Sequence, residues 1–300
     1  MSESTPPRRF AVLVNPAAAR GRALSRMVAV EAELDELGSP RRTVVTRSIE
    51  HAAEEASVAA AAGETVVAVG GDGFVGPVAG ALRGAAGPFA VVPAGRGNDF
   101  ARVLGVPSDP RAAARLAVEG EERLVDVGTV DGRPFLGIAS VGFDSDVQDI
   151  ANTTRLVGGS PVYVYAALRA LVGWRHAGFE AVVDGERHRV EGYAVAVGNS
   201  GVYGGGMRLM PDAELADGLL DVLLVGRQPK LRYLSGLPKV FRGTHLQGNP
   251  TARLLRGASV ELSADRPFRV YADGDHIADL PVTIGVEPRT LRVIGAGTAA

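Results

Sequence analysis

The stretch T-V-V-A-V-G-G-D-G at residues 65–73 decides how this chain reads. A short Val-rich run enters a loop with three glycines around one acid, and a helical pattern follows near residues 78–82. A strand that passes through a Gly-rich turn into a helix is the repeating unit of a parallel sheet. Glycines at that turn let backbone N–H groups face inward at short range, and the positive end of the next helix adds to them. Together they form a phosphate cradle. An ordinary tight turn uses one glycine and occasionally two; further glycines cost chain entropy without a ligand to offset it. Phosphate contact is therefore expected at Gly70, Gly71, Asp72 and Gly73.

Working outward, apolar runs at 10–14, 43–46 and 89–92 alternate with helical stretches at 24–37, 51–62 and 108–119. This βαβα order predicts a parallel sheet covered by helices. From about residue 124 the texture changes. Short β-rich runs at 124–130, 135–139, 179–183, 187–197, 219–225, 259–263, 268–272 and 291–294 are separated by Gly, Asp-Gly and Pro turns, and helices are expected only at 162–174 and 230–242. The prediction is an α/β domain over 1–127 with a parallel sheet and glycine-rich phosphate loops. A mostly antiparallel β domain follows over 128–300, whose last strand could return to the first.

Bulk properties narrow the function. A chain of 300 residues exceeds what one core usually serves. Absence of cysteine excludes disulfides and thiolate metal sites, and a net charge of -2 without a basic block gives no footprint for nucleic acid. The stretch 162–174 is too short to span a membrane and holds Arg169, and the first residues lack a signal-peptide apolar region. A cytoplasmic location is expected, with peripheral contact at the inner membrane face. Hydrolase chemistry finds no G-x-S-x-G, and His51, His176, His188, His245 and His276 show no metal-ligand spacing.

Two further loops leave strands in the same sense. P-A-G-R-G-N-D-F-A-R at 93–102 holds Gly95, Arg96, Asn98 and Asp99, and V-N-P-A-A-A-R-G at 14–21 holds Asn15, Pro16, Arg20 and Gly21. All three loops would open on the carboxyl edge of the sheet, where ligands bind in open α/β folds. No Gly-Lys-Ser/Thr is present, so a Walker loop is excluded. Gly71, Gly73 and Gly76 spell G-x-G-x-x-G, but the next strand ends in Val91-Val92-Pro93-Ala94-Gly95 without the acid a dinucleotide site wants.

Taken in order, Asn15-Pro16, Gly70–Gly73, 93–102, Pro211-Asp212-Ala213 with Asp217-Gly218, and Asp273-Gly274-Asp275 resemble the diacylglycerol, sphingosine and ceramide kinase catalytic family, from about residue 10 to 294. The resemblance implies an ATP-dependent lipid kinase of two domains, with nucleotide in the cleft between them. It places Asn15, Thr46, Gly71, Asp72 and Gly73 at nucleotide contacts. Asp72, Asp99 and Asp126 become an acidic set that organises Mg²⁺ and water. Asp217, with the carbonyls of Glu214 and Leu219, matches a structural Mg²⁺ site, and Asp275 matches the general base. By its residues alone, Asp126 would be a solvated strand-edge carboxylate and Asp217 part of an ordinary Asp-Gly turn. The chain departs from the family at Phe74 and Arg96, where threonine is usual, at Gly76-Pro77, and at Asp275, where the motif ends in glutamate.

The expected acceptor is a lipid hydroxyl, most simply that of diacylglycerol. A soluble-metabolite kinase of the NAD-kinase kind, or a non-catalytic nucleotide or lipid binder, are the alternatives. Between Asp221 and Glu261 there is no acid, while Lys230, Arg232, Lys239 and Arg242 alternate with Leu231, Leu234, Leu237 and Phe241. Such a segment suits an anionic membrane surface or a solvated helix edge. A homodimer stays open.

Overall fold

The computed structural model describes residues 8–154 and 161–296. The chain divides into two units, with boundaries between Val127 and Gly128 and between Pro288 and Arg289. The tail from Arg289 thus belongs with the amino-terminal unit.

In that unit the elements run β1 (Phe10–Val14), α1 (Arg22–Glu36), β2 (Arg41–Val45), α2 (Ile49–Ala61), β3 (Thr65–Gly70), α3 (Asp72–Ala81), β4 (Phe89–Pro93), α4 (Asp99–Val103), α5 (Pro110–Glu119) and β5 (Glu121–Val130). Strand order is β2-β1-β3-β4, all parallel, and Val293 pairs with Phe89 on the far side of β4. Each inner strand is buried along its whole length because helices cover both faces. On one face Phe10, Val12, Val14, Val67, Val69, Ala90 and Val92 meet Val30 and Leu34 of α1 and Ala113, Ala114 and Ala117 of α5. Ser48 caps α2 through the His51 N–H, and Asp109 caps α5 through the Ala112 N–H at 2.9 Å, with Pro110 opening the helix. The chain turns to opposite sides from β1 and β3, so the carboxyl edge between these two strands is the topological switch point.

α3 begins at Asp72, six residues earlier than the spacing predicts. Gly73, Gly76 and Pro77 all disfavour a helix, but Phe74, Val75, Val78 and Ala79 are buried by it, and that burial outweighs propensity.

The carboxyl-terminal unit continues with β6 (Arg133–Phe135), β7 (Ile138–Gly142), α6 (Phe143–Thr153), α7 (Pro161–Gly173), β8 (Ala177–Val183), β9 (Glu186–Gly198), the short pair β10 (Val202–Tyr203) and β11 (Met207–Arg208), and β12 (Leu220–Gly226). Then follow α8 (Lys230–Val240), β13 (Ala252–Gly257), β14 (Ser259–Ala264), β15 (Arg269–Ala272), β16 (Asp275–Asp279) and β17 (Val282–Gly295). Its pairings are antiparallel, in the order β16-β15-β7-β9-β8-β14-β17, with β12 and β13 reached through β9. β9 is the hub. Glu186 to Gly192 pair with β8, and Ala194 to Gly198 lie between β7 and β12. A side chain on Gly192 would collide with the Val225 carbonyl, so glycine is needed where β9 changes partners.

α6 was not expected. Its F-D-S-D-V-Q-D run is poor in helix formers, yet Asp144 and Asp146 sit in its first turn, where the helix dipole favours them. Val147 and Ile150 face the core at helical spacing, which was the available signal. Among the described residues no helix is long and apolar enough to cross a membrane.

Candidate functional site

In the amino-terminal unit the glycine loops meet at the carboxyl edge. The Ala94 N–H donates to the Gly70 carbonyl at 2.7 Å, and the Asn15 N–H to the Val69 carbonyl at 3.2 Å. Asp72 joins the first loop to the second. Its Oδ2 accepts the Asn98 N–H at 2.7 Å and its Oδ1 accepts the Asp99 N–H at 2.8 Å. Asn98, held in the left-handed region at φ 53°, closes its own loop by accepting the Gly95 N–H at 2.7 Å and donating to the Gly95 carbonyl at 3.1 Å.

This clamp needs glycine on both sides. A Cβ on Gly71 would lie 2.9 Å from the Gly95 Cα, and one on Gly95 only 2.6 Å from the Gly71 Cα. Close loop-to-loop packing is therefore one reason for these two glycines, apart from any ligand. Gly73 is exposed in the first turn of α3, where helix geometry leaves amides without intrahelical partners.

Around this edge the remaining residues have structural partners. Asn15 Oδ1 accepts the Ala17 N–H at 3.0 Å and so shapes the turn that contains Pro16. Gly21 takes φ 89° to start α1, a conformation that favours glycine. Thr46 is buried, and both its N–H and its hydroxyl donate to the Val14 carbonyl at 2.9 Å. Arg96 is exposed at the tip of the second loop, and the Arg20 side chain lies outside the described residues. Asp126 is fully buried rather than a solvated strand-edge group, because its Oδ1 accepts the Arg289 N–H at 2.7 Å where β17 takes a left-handed residue.

In the carboxyl-terminal unit, Asp273-Gly274 forms the two-residue turn between β15 and β16, with φ of 52° and 93° as a type I′ hairpin requires. Asp273 then accepts the N–H groups of Leu136 and Gly137 at 2.7 and 2.8 Å, and Gln148 donates to the Gly274 carbonyl at 3.0 Å. Asp275, the first residue past the turn, is exposed, and partial desolvation raises its carboxyl above the usual aspartate value. The turn is thus anchored while the acid beyond it projects, which suits a proton acceptor.

Asp217 Oδ1 accepts the Leu219 N–H at 2.9 Å, and its Oδ2 is ion-paired with Arg256. Arg256 Nε also reaches Asp221 at 3.4 Å, and Asp221 is buried, its carboxyl raised by desolvation against the pull of Arg256. Arg256 thus already occupies the Asp217 carboxylate that a divalent cation would need and offsets part of the charge of Asp221. As they stand, Glu214, Asp217 and Leu219 do not fit a structural Mg²⁺, and among the described residues no cluster of three or more acidic or histidine side chains could hold a metal.

The same unit holds a cavity of about 950 Å³, solvent at its mouth included, beneath α8. Its floor is the β9–β12 face, with Ala194, Ala196, Leu223 and Val225, and Met207 and Leu209 line one side. Asp144, partly exposed at the wall, is pushed up to about 6 by desolvation, against the Tyr233 hydroxyl that donates to it at 3.4 Å. His245 lines the same space, and burial pulls its imidazole below its ordinary value. Sequence reasoning missed this pairing because Asp144 and Tyr233 lie on α6 and α8, which no local spacing connects.

Comparison with known proteins accords with this arrangement. Residues 9–130 match the family model described as the diacylglycerol kinase catalytic domain. Residues 137–295 match the YegS C-terminal NAD kinase beta sandwich-like domain. A protein of Mycobacterium tuberculosis named diacylglycerol kinase is 33% identical over 94% of this chain and 93% of its own length. A Chromohalobacter salexigens protein named as a YegS-like lipid kinase is 37% identical over 74% of this chain and 72% of its own. In three dimensions, a Bacillus anthracis str. Sterne chain described as a diacylglycerol kinase superposes with a TM-score of 0.76 at 20% identity, over 99% of this chain and 100% of that one, a likeness of fold.

Proposed function

Because the chain belongs to the family that joins a diacylglycerol kinase catalytic domain to a YegS-type β-sandwich domain, we propose that it transfers the γ-phosphoryl group of ATP to a lipid hydroxyl, that of diacylglycerol first among candidates. The observation that carries the donor side is the Asp72 clamp, which fixes two glycine loops against each other at the switch point of the parallel sheet. Phosphoryl transfer asks for positioned phosphates, neutralised charge and an acceptor for the hydroxyl proton, and little covalent chemistry. The α3 amino terminus and the exposed Arg96 supply positive charge, and Asn15, Gly71, Gly73 and Asp99 lie in the loops that would hold the nucleotide and its Mg²⁺. Asp72 acts there chiefly as a positioning residue, since both its oxygens hold the second loop. Asp275 is the proposed general base.

The acceptor side rests on the cavity beneath α8. Alkyl and thioether groups line its floor and one side, with Gln228, Arg232, Lys239, His245 and Asn249 also in its lining, a mixture that suits a lipid with an acyl chain and a polar head. Transfer of labelled γ-phosphate should be measured from Mg-ATP to diacylglycerol, monoacylglycerol, sphingosine, ceramide and NAD⁺. Asp275→Asn is expected to lose about 10²- to 10⁴-fold in kcat, the usual worth of a general base. The base works ionised, so the wild-type rate should fall as pH drops through a pKa above that of an ordinary aspartate. Label on NAD⁺ and on no lipid would replace the proposal with the metabolite reading, and full activity of Asp275→Asn would remove this residue from the chemistry.

A further inference from the structure

α7 is apolar nearly all round, a pattern that one packed face does not explain. Its inner stripe, Val162, Ala166, Ala167, Ala170 and Leu171, is buried. Its outer stripe at the same helical spacing is Tyr165, Leu168, Arg169 and Val172, with Tyr165 40%, Leu168 47% and Val172 85% exposed. α8 begins against the end of this helix. The Lys230 ammonium donates to the Leu171 and Val172 carbonyls at 2.6 and 3.1 Å, satisfying the free end of α7. The next residue, Leu231, is 82% exposed.

The two most exposed large apolar side chains of the described residues therefore sit on helices held end to end by one lysine. Neither α7 nor α8 carries an acidic residue, and Arg169, Arg175, Lys230 and Arg232 are all exposed on or beside this surface. An apolar ridge on two helices without acids, set among cations, has the character of a surface that enters an anionic lipid interface, with Asp146 and Asp149 nearby in the hollow beside Gly173 and Arg175. Arg232 also lines the cavity beneath α8, so the ridge adjoins that space.

We propose that the outer face of α7 and the first turn of α8 form the membrane-docking surface of this protein, with an anionic bilayer as its occupant. Val172, Leu231 and Leu168 insert below the headgroups, and Arg169, Arg175 and Arg232 meet lipid phosphates. This deepens the lipid-kinase reading and rests on it for its purpose, but not for its geometry. Of the segment that the sequence pointed to, Lys230, Leu231 and Arg232 lie on this surface, and Lys239, Phe241 and Arg242 lie at the opposite end of α8.

The test is co-sedimentation of the full chain with vesicles of phosphatidylcholine alone or with a third phosphatidylglycerol, free of acceptor lipid and nucleotide. Wild type is expected to bind the anionic vesicles and to release them as salt rises. Val172→Glu with Leu231→Glu, and separately Val172→Ser with Leu231→Ser, should weaken that binding about tenfold or more. Both positions are open to solvent, so the variants should keep the wild-type melting temperature. They should also keep transfer to a dispersed short-chain diacylglycerol while losing transfer to long-chain acceptor in vesicles. Unchanged vesicle binding overturns the proposal, as does loss of binding in Lys239→Ala with Phe241→Glu but not in the ridge variants. A shift from dimer to monomer in the ridge variants, without any vesicle binding by wild type, also overturns it and assigns the face to a second copy. Vesicle binding through the ridge with no lipid phosphorylated would leave the surface standing and refute the kinase reading instead.

Discussion

Arg256 shows how one side chain can change the meaning of a motif. The Asp-Gly pair at 217–218 looks like the start of a cation site, but a guanidinium from β13 spans Asp217 and the buried Asp221. Removing it would leave Asp221 buried beside an acid without a counter-charge, and since the arginine is itself partly exposed, the expected cost is about 1–2 kcal/mol. In the absence of nucleotide, the wild-type melting temperature should not respond to added Mg²⁺ or to a chelator. Arg256→Gln should melt lower and recover part of the loss with Mg²⁺. A wild-type melting temperature that rises with Mg²⁺, and stops doing so in Asp217→Asn, would show that a cation displaces the arginine.

The glycine loops act as a pair of elements rather than as single residues. Gly71 and Gly95 touch through their backbones, and Asp72 and Asn98 then lock the loops in that contact. A methyl group at either glycine must push backbone, which cannot yield as a flexible side chain can. Gly71→Ala should therefore cost about 1–3 kcal/mol by overpacking and weaken nucleotide binding as well. Gly236→Ala in α8 is the control. Nothing lies within 4 Å of a Cβ there and its φ is not positive, so the change should be neutral or stabilise by up to about 1 kcal/mol. Equal thermal melts for Gly71→Ala and wild type would show that the loops are looser than the clamp requires.

For the molecule as a whole, the clearest pH dependence comes from Asp144. Its folded pKa of about 6 lies above the unfolded value, so the native state binds its proton more tightly. Stability from this group is full at acid pH and is lost as pH rises through about 6. Asp144→Asn should remove that part of the fall in melting temperature that lies between the ordinary carboxylate value of 3.8 and about 6. An unchanged profile in the variant would place the proton elsewhere.

Much of this was legible before any coordinates. Alternating apolar runs and helical spacing gave the parallel sheet, because burial on both faces forces continuous Val and Ala in β1, β3 and β4. Gly70 to Gly73 and the loop from Pro93 announced the carboxyl edge, because few residues other than glycine allow backbones so close. Other features depended on contacts remote in sequence. β16 pairs through exposed or half-buried residues that carry no alternating pattern, and α3 runs through Gly73, Gly76 and Pro77 because its apolar side chains find a core. Asp126 needed Arg289, Asp217 needed Arg256, Asp144 needed Tyr233, and Lys230 needed the end of α7. The sequence by itself determined which backbone could bend where and which stretches must be buried, because those depend on local sterics and on periodicity. Only the tertiary structure decided which charges are satisfied, which are desolvated and which apolar face is left uncovered, because a side chain's partner is set by distance in space, and a sequence does not record that distance.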